Sequence, residues 1–207
     1  MKAIITGDVV FSSLFSSEVK ENVLGAISRL FKNHNGRMEI YRGDSFQGLL
    51  NDPLQALDIA YQIRMLTRLL TPKTNVVMDC RLAIGIGTID NESDKVLQND
   101  GPAYRNSGPY LDKMQKDERI VCITPWKKVN DELDTEIILA EELVKRWTRL
   151  QVEVLIEAIN GENQIRIAKK LNITQSAVNQ RMMAASWNAI HVYLKRYKQI
   201  IREHLIK

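Results

Sequence analysis

Only two cysteines occur in the 207 residues, Cys80 and Cys122, and they stand far apart without a CxxC spacing. This argues against a disulfide-stapled scaffold or a cysteine-based zinc module. Each cysteine lies in a stretch that reads as strand, which predicts a buried free thiol and a reducing, cytoplasmic setting. No apolar run approaches the ~18 residues of a membrane span, so no membrane partner is expected. The N-terminus reads Met-Lys-Ala-Ile-Ile-Thr-Gly-Asp; its apolar part is too short for a secretory signal and ends in Asp8. The three histidines, His34, His191 and His204, are scattered and suggest no metal centre. Internal repeats and low-complexity tracts are also missing. What remains is an ordinary globular composition, 44% hydrophobic and 26% charged, with length for one large domain or two small ones.

The charge is unevenly placed. Residues 141–207 carry 12 Lys and Arg against 6 Glu and no Asp, a balance of +6, whereas residues 1–140 carry 17 bases and 19 acids. From Gln164 onward Glu203 is the only acid and the balance is +8. A basic C-terminal third on a near-neutral body is the electrostatic footprint of a nucleic-acid-binding module.

The chain alternates strand and helix signals up to about residue 125. Residues 3–11 read as a buried strand with polar residues at Thr6-Gly7-Asp8. A helix follows on the stripe Val19, Val23, Leu24, Ile27, Leu30 and Phe31. Residues 38–41 and 45–50 form a hairpin about Arg42-Gly43-Asp44. A second helix carries Ala56, Ile59, Ala60, Ile63, Leu66 and Leu70 inward. Residues 80–87 read as strand, 90–100 as an acidic loop, 101–114 as one short helix and 119–124 as a last strand. After Trp126 only helices are expected, at 133–145, 147–159, across 164–183, and at 187–205. In the last of these, Trp187, Ile190, Leu194, Tyr197, Ile201 and Leu205 form a heptad-like seam. The implied domains are an α/β body at 1–125, a helical linker at 126–146, and an all-α unit at 147–207.

Residues 164–183 have the shape of a helix-turn-helix. Ile167, Ala168 and Leu171 form one inner face, Ile173 plugs the turn, and Val178 and Met182 form the other. Ala168 is small where the helices approach. Asn172 tolerates the left-handed conformation a tight turn requires, and the Thr174 hydroxyl is placed to cap the second helix. Gln175, Ser176, Asn179 and Gln180 then project outward, where they suit the base edges of a major groove. Arg166, Lys169, Lys170 and Arg181 suit phosphates, which position without specifying. The segment resembles the helix-turn-helix of phage Cro-type repressors over about twenty residues, departing at Asn172, where glycine is usual.

Further landmarks run in order along the chain: Ile-Thr-Gly-Asp-Val-Val at 5–10, Gly-Asp-Ser-Phe-Gln-Gly at 43–48, Gly-Ile-Gly at 85–87, Gly-Pro-Ala-Tyr at 101–104, and Arg-Trp-Thr-x-x-Gln at 146–151. With the terminal helix-turn-helix these resemble the SatD family of bacterial proteins across almost the whole chain. The same landmarks are similar to class III nucleotide cyclases and GGDEF domains. That resemblance implies a ferredoxin-like α+β core and a pair of carboxylates, at Asp8 and Asp44, able to hold Mg²⁺ or Mn²⁺ beside a nucleotide. The cyclase pattern is incomplete. Its base-selecting lysine falls at Ile40, its transition-state Asn and Arg fall near Arg105 and Pro109, and Ser45 replaces the acid of the GGDEF pattern. Gly85-Ile-Gly87 lacks the third glycine of a dinucleotide fingerprint.

The reading expected from the sequence is a DNA-binding transcriptional regulator. It would bind double-stranded DNA as a homodimer, with the 187–205 seam either pairing two copies or packing within its own chain, and with the α/β body sensing a ligand or mediating pairing. One alternative is a metal-dependent nucleotide-processing enzyme built on Asp8 and Asp44. Another is an interaction scaffold with a basic tail.

Overall fold

The computed structural model describes residues 1–91 and 93–205. Strand β1 (Lys2–Val10) is central. It is followed by helix α1 (Ser17–Asn33), the hairpin β2 (Arg37–Arg42) and β3 (Ser45–Leu50), helix α2 (Ala56–Leu70) and strand β4 (Asp79–Gly87). Two short helices, α3 (Pro102–Arg105) and α4 (Gly108–Leu111), precede β5 (Ile120–Ile123). The sheet order is β2-β3-β1-β4-β5. β1 is antiparallel to both β3 and β4, and β5 runs parallel to β4. The first four strands with α1 and α2 make the βαββαβ ferredoxin-like unit expected from the sequence, and β5 extends it.

Side-chain alternation divides the sheet into two faces. Ala3, Ile5 and Val9 of β1, with Cys80, Leu82, Ile84 and Ile86 of β4, meet the apolar stripes of α1 and α2 in the main core. The opposite face carries Ile4 and Leu49, covered by Val96, Ala103 and Tyr104. Both cysteines are free and buried, and burial pushes each thiol up to about 12. The acidic segment expected as a plain loop therefore supplies a core residue, Val96. The helix expected at 101–114 is broken in two at Asn106 and Ser107, because Ser107 turns inward. Its hydroxyl accepts from the Thr6 amide at 3.1 Å and donates to the Ala83 carbonyl at 2.9 Å, pinning the break to β1 and β4.

Gly85 and Gly87 are explained by this covering layer. A Cβ at Gly85 would lie 2.1 Å from the Ala103 carbonyl oxygen, and one at Gly87 would lie 2.6 Å from the Ala103 amide nitrogen. The pair exists so that the Gly-Pro-Ala-Tyr backbone can rest directly on β4.

The remaining helices are α5 (Lys127–Val144), α6 (Arg149–Ile159), α7 (Gln164–Leu171), α8 (Gln175–Ala184) and α9 (Trp187–Leu205). Helix α5 begins six residues earlier than the expected 133, directly after Trp126. The apolar core does not break at residue 126 or 147. Val129, Leu133, Ile137, Val152 and Leu155 belong to the same buried cluster as the sheet, and so do Trp187, Ile190, Leu194, Tyr197 and Ile201. The seam of α9 is thus used within its own chain, with the Tyr197 hydroxyl donating to the Pro53 carbonyl at 2.8 Å. Of the two expectations for the seam, packing within its own chain is the one the structure shows, with every seam side chain but the partly buried Leu205 buried in the core. No helix among the described residues is long and apolar enough to cross a membrane.

Candidate nucleic-acid interface and the acidic strand ends

Helices α6, α7 and α8 pack around a small core of their own, Val154, Ile167, Ala168 and Val178, with Leu171, Ile173 and Met182 at its edge. The turn between α7 and α8 has the conformation its residues imply. Asn172 is left-handed at φ 52°, ψ 48°, and the Ile173 amide donates back to the Ala168 carbonyl at 3.0 Å. The Thr174 hydroxyl accepts from the Ala177 amide at 3.1 Å and caps α8. At the start of α7, Asn163 does the same for the Arg166 amide at 3.0 Å. The two helices are therefore set by local capping and one left-handed residue, with Ala168 in their contact.

Gln175, Ser176, Asn179 and Gln180 are all exposed on α8. Two are joined through Gln164 of α7: the Gln175 amide donates to Gln164 at 3.4 Å, and Gln164 donates to Asn179 at 3.3 Å. These contacts are long and open to solvent, so they hold the row loosely. Lys169 and Lys170 are exposed, and Lys170 pairs with Glu157 at 2.7 Å. Arg166 is exposed and lies 3.6 Å from Glu162. The Arg166 pair is exposed and contributes ~0–1 kcal/mol, whereas Lys170 is exposed but its partner Glu157 is only 14% exposed, so Arg166 is the more readily released to a phosphate. Arg181 differs from the other three. It turns back against α6, 3.6 Å from Glu153 and 3.3 Å from the Leu150 carbonyl, with its side chain 22% exposed. It is a strut of the three-helix unit rather than part of the outward row.

The unit is tied to the sheet by the 146–151 landmark. The Trp147 indole donates to the Ala185 carbonyl at 2.8 Å, anchoring the end of α8, while its ring sits 6.5 Å from that of Tyr61 on α2. Thr148 and Gln151 form a capping box that starts α6. A buried ionic network lies beside it, one that sequence reading missed. Arg64 of α2 donates to both Asp79 oxygens at 2.9 Å and to Glu141 of α5 at 2.5 Å. Arg68 adds bonds to Asp79 and caps the Val144 carbonyl at 3.0 Å. Burial alone would raise the Asp79 carboxyl, but the Arg64 and Arg68 guanidiniums outweigh it and hold the group well below the usual carboxylate range. The available signal was two arginines four residues apart in a helix whose other side chains are mostly apolar.

Asp8 and Asp44 take separate partners. Asp8 shares the alternation of Ile4 and Thr6 on the face covered by α3 and α4, where Arg81 of β4 grips it through Nε at 3.1 Å and Nη2. Asp44 accepts from the Ser12 hydroxyl and lines a pocket of about 430 Å³ with Ser13, Ser17, Lys20 and Glu21 at the start of α1. Asp8 lies opposite Ser45 in the β1–β3 register and the Val9 amide donates to the Asp44 carbonyl at 3.3 Å, so the two residues stand on adjacent strand ends while their carboxylates take separate partners. Among the described residues no group of three or more His, Cys, Asp or Glu is arranged to hold a metal ion. Ile40 is half-exposed on β2 and Pro109 is exposed in α4, and neither side chain can hydrogen-bond.

The fold defines a ferredoxin-like α/β protein whose core continues into the helices α5–α9. The chain belongs to the SatD family, whose sequence pattern matches residues 3–205. No curated protein matches it. Among solved structures it is similar to the adenylyl cyclase CyaB from P. aeruginosa, at 14% identity and a TM-score of 0.46, over 58% of this chain and 75% of that one. It is also similar to the guanylyl cyclase Cya2, at 14% identity and a TM-score of 0.41, over 55% and 70% respectively.

Proposed function

We propose that the protein is a double-stranded-DNA-binding regulator that reads sequence with α8. The observation that carries this is the outward row of Gln175, Ser176, Asn179 and Gln180, on a helix set against α7 by the left-handed Asn172. Amide and hydroxyl side chains at the start of such a helix match the donor and acceptor pattern of the major groove. Arg166, Lys169 and Lys170 flank the row and supply phosphate contacts, in keeping with the +8 balance after Gln164. The ferredoxin-like body acts as the platform that fixes the reading unit, through Trp147 and the Arg64 network. A nucleotide-processing role has less support, because Arg81 already neutralises Asp8.

The test is enrichment of the full-length protein on a random duplex pool, followed by anisotropy titrations on the enriched and a scrambled duplex at several salt concentrations. A preferred sequence bound about 10³-fold or more above the scrambled duplex is the expected outcome. Equal affinity for both, or no binding at 50 mM salt, would reject sequence reading.

A further inference from the structure

The loop 71–78, between α2 and β4, stands against the start of α6. Its base is fixed: the Thr71 hydroxyl donates to the Thr67 carbonyl at 2.8 Å and accepts from the Met78 amide at 3.1 Å. Arg149, the first residue of α6, donates from Nη1 to the Thr71 carbonyl at 3.0 Å and ties the loop to the helix. Lys73 follows two residues later. It is exposed and forms no ion pair among the described residues. Lys73, Arg149 and Arg68 line a cavity of about 350 Å³ at this junction, and no acid is among its lining residues.

These bases continue toward α8. Arg149 and Glu153 share one stripe of α6, with their charged atoms 3.9 Å apart, too far for a hydrogen bond. Glu153 also lies 3.6 Å from Arg181 of α8. A chain of neighbours therefore runs from the α/β body to the reading helix through Lys73, Arg149, Glu153 and Arg181, with three bases and one acid. At 100° per residue, Gln175 and Arg181 fall on opposite flanks of the outward row of α8. Gln175 faces α7, through Gln164. Arg181 faces α6, so the strip of Lys73 and Arg149 lies on the flank away from α7.

We propose that Lys73 and Arg149 form a second phosphate clamp, by which the α/β body itself touches the DNA. A helix lying in a major groove is bordered by a phosphate backbone on each side. The exposed bases of α7, Arg166, Lys169 and Lys170, serve one backbone. On the other flank Arg181 is turned back onto α6, and Lys73 and Arg149 are the bases left to meet the second backbone. An ammonium and a guanidinium on an open strip continuous with α8 suit a line of phosphates. The clamp rests on the reading above in that α8 must lie in the groove. Phosphate contact carries no sequence information, so it does not require α8 to select bases.

Anisotropy of the full-length protein on a random-sequence duplex, from about 50 to about 200 mM salt, tests the clamp. Lys73→Ala should make the slope of log affinity against log salt shallower by about 0.9, or about 3.5-fold across that range, with an unchanged melting temperature. Arg149→Gln, whose amide can still reach the Thr71 carbonyl, should do the same, and the pair together should remove about 1.8. Lys32→Ala, an exposed base beside the His34–Gln55 contact at the other end of α2, should leave the slope as it is. Replacing single phosphates by uncharged methylphosphonate should find a position that weakens the wild type but not Lys73→Ala. A slope that Lys73→Ala and Lys73→Glu both leave unchanged overturns the clamp, and a protein that then still selects a sequence keeps the reading by α8. A slope flattened by Lys73→Ala in a protein that prefers no sequence upholds the clamp and rejects base reading. No binding to duplex at about 50 mM salt rejects both.

Discussion

Of the four bases flanking α8, the structure separates Arg181 from the other three, and under the proposed DNA reading the salt dependence of binding should register the difference. Each phosphate neutralised contributes about −0.9 to the slope of log affinity against log salt. Between 50 and 200 mM, a fourfold change, one contact is therefore worth about 3.5-fold in affinity. Lys169 is exposed on α7, so Lys169→Ala should make the slope shallower by about one and reduce affinity at 50 mM alike on every duplex. Arg181→Ala should leave the slope unchanged. Its guanidinium lies against Glu153 and the Leu150 carbonyl, and its loss should instead lower stability by about 1 kcal/mol as that strut is removed. Lys170→Ala should resemble Lys169→Ala, with a smaller effect at low salt because Lys170 must first leave Glu157. Anisotropy on a fixed 20–30 base-pair duplex from 50 to 200 mM salt, with a thermal melt of each variant, measures both quantities. If Arg181→Ala flattens the slope as much as Lys169→Ala does, the placement of Arg181 as a strut is wrong.

Base reading should separate from phosphate contact: Gln175→Ala or Asn179→Ala should cost about 1–3 kcal/mol on the preferred sequence and little on a scrambled one, and equal losses on both would remove that residue from the reading row. Arg64→Met leaves Glu141 buried without its cation and should cost about 3–5 kcal/mol, a fall of about 6–20 °C in melting temperature for a chain of this size; a loss under 1 kcal/mol in urea titration would show the network to be dispensable. The folded Asp79 pKa is depressed, so its stabilisation is present above the unfolded value of about 4 and is lost as pH falls below it. The gap between wild type and Arg64→Met should therefore be widest at pH 5–7 and narrow below about pH 4. Millimolar Mn²⁺ should not raise the melting temperature of the wild type, since Arg81 already holds Asp8; a rise of several degrees, abolished by Asp44→Asn, would restore the two aspartates to one metal site.

The sequence by itself determined the local geometry of this protein. The α7–α8 turn follows from Asn172, Thr174 and Ala168, all within seven residues, and the strand and helix periods up to β5 are carried by runs of similar length. Such features are encoded where they act, because capping, handedness and amphipathic spacing are set by near neighbours. The charge asymmetry is likewise a property of composition. Tertiary structure alone decided how distant residues pair. Asp8 and Arg81 stand 73 positions apart, Arg64 and Glu141 stand 77 apart, and Tyr197 and Pro53 stand 144 apart. That Asp8 meets a guanidinium is decided only when β4 brings Arg81 beside it. Arg64 in an apolar stripe gives no sign that Asp79 and Glu141 wait for it. The seam of α9 has the spacing of an interface, and only the packing of the whole chain shows that its partner is the chain itself. The physical reason is the same in each case: a periodic apolar stripe or an ionisable side chain states what it needs to be buried or bonded against, while the topology chooses which distant residue meets that need.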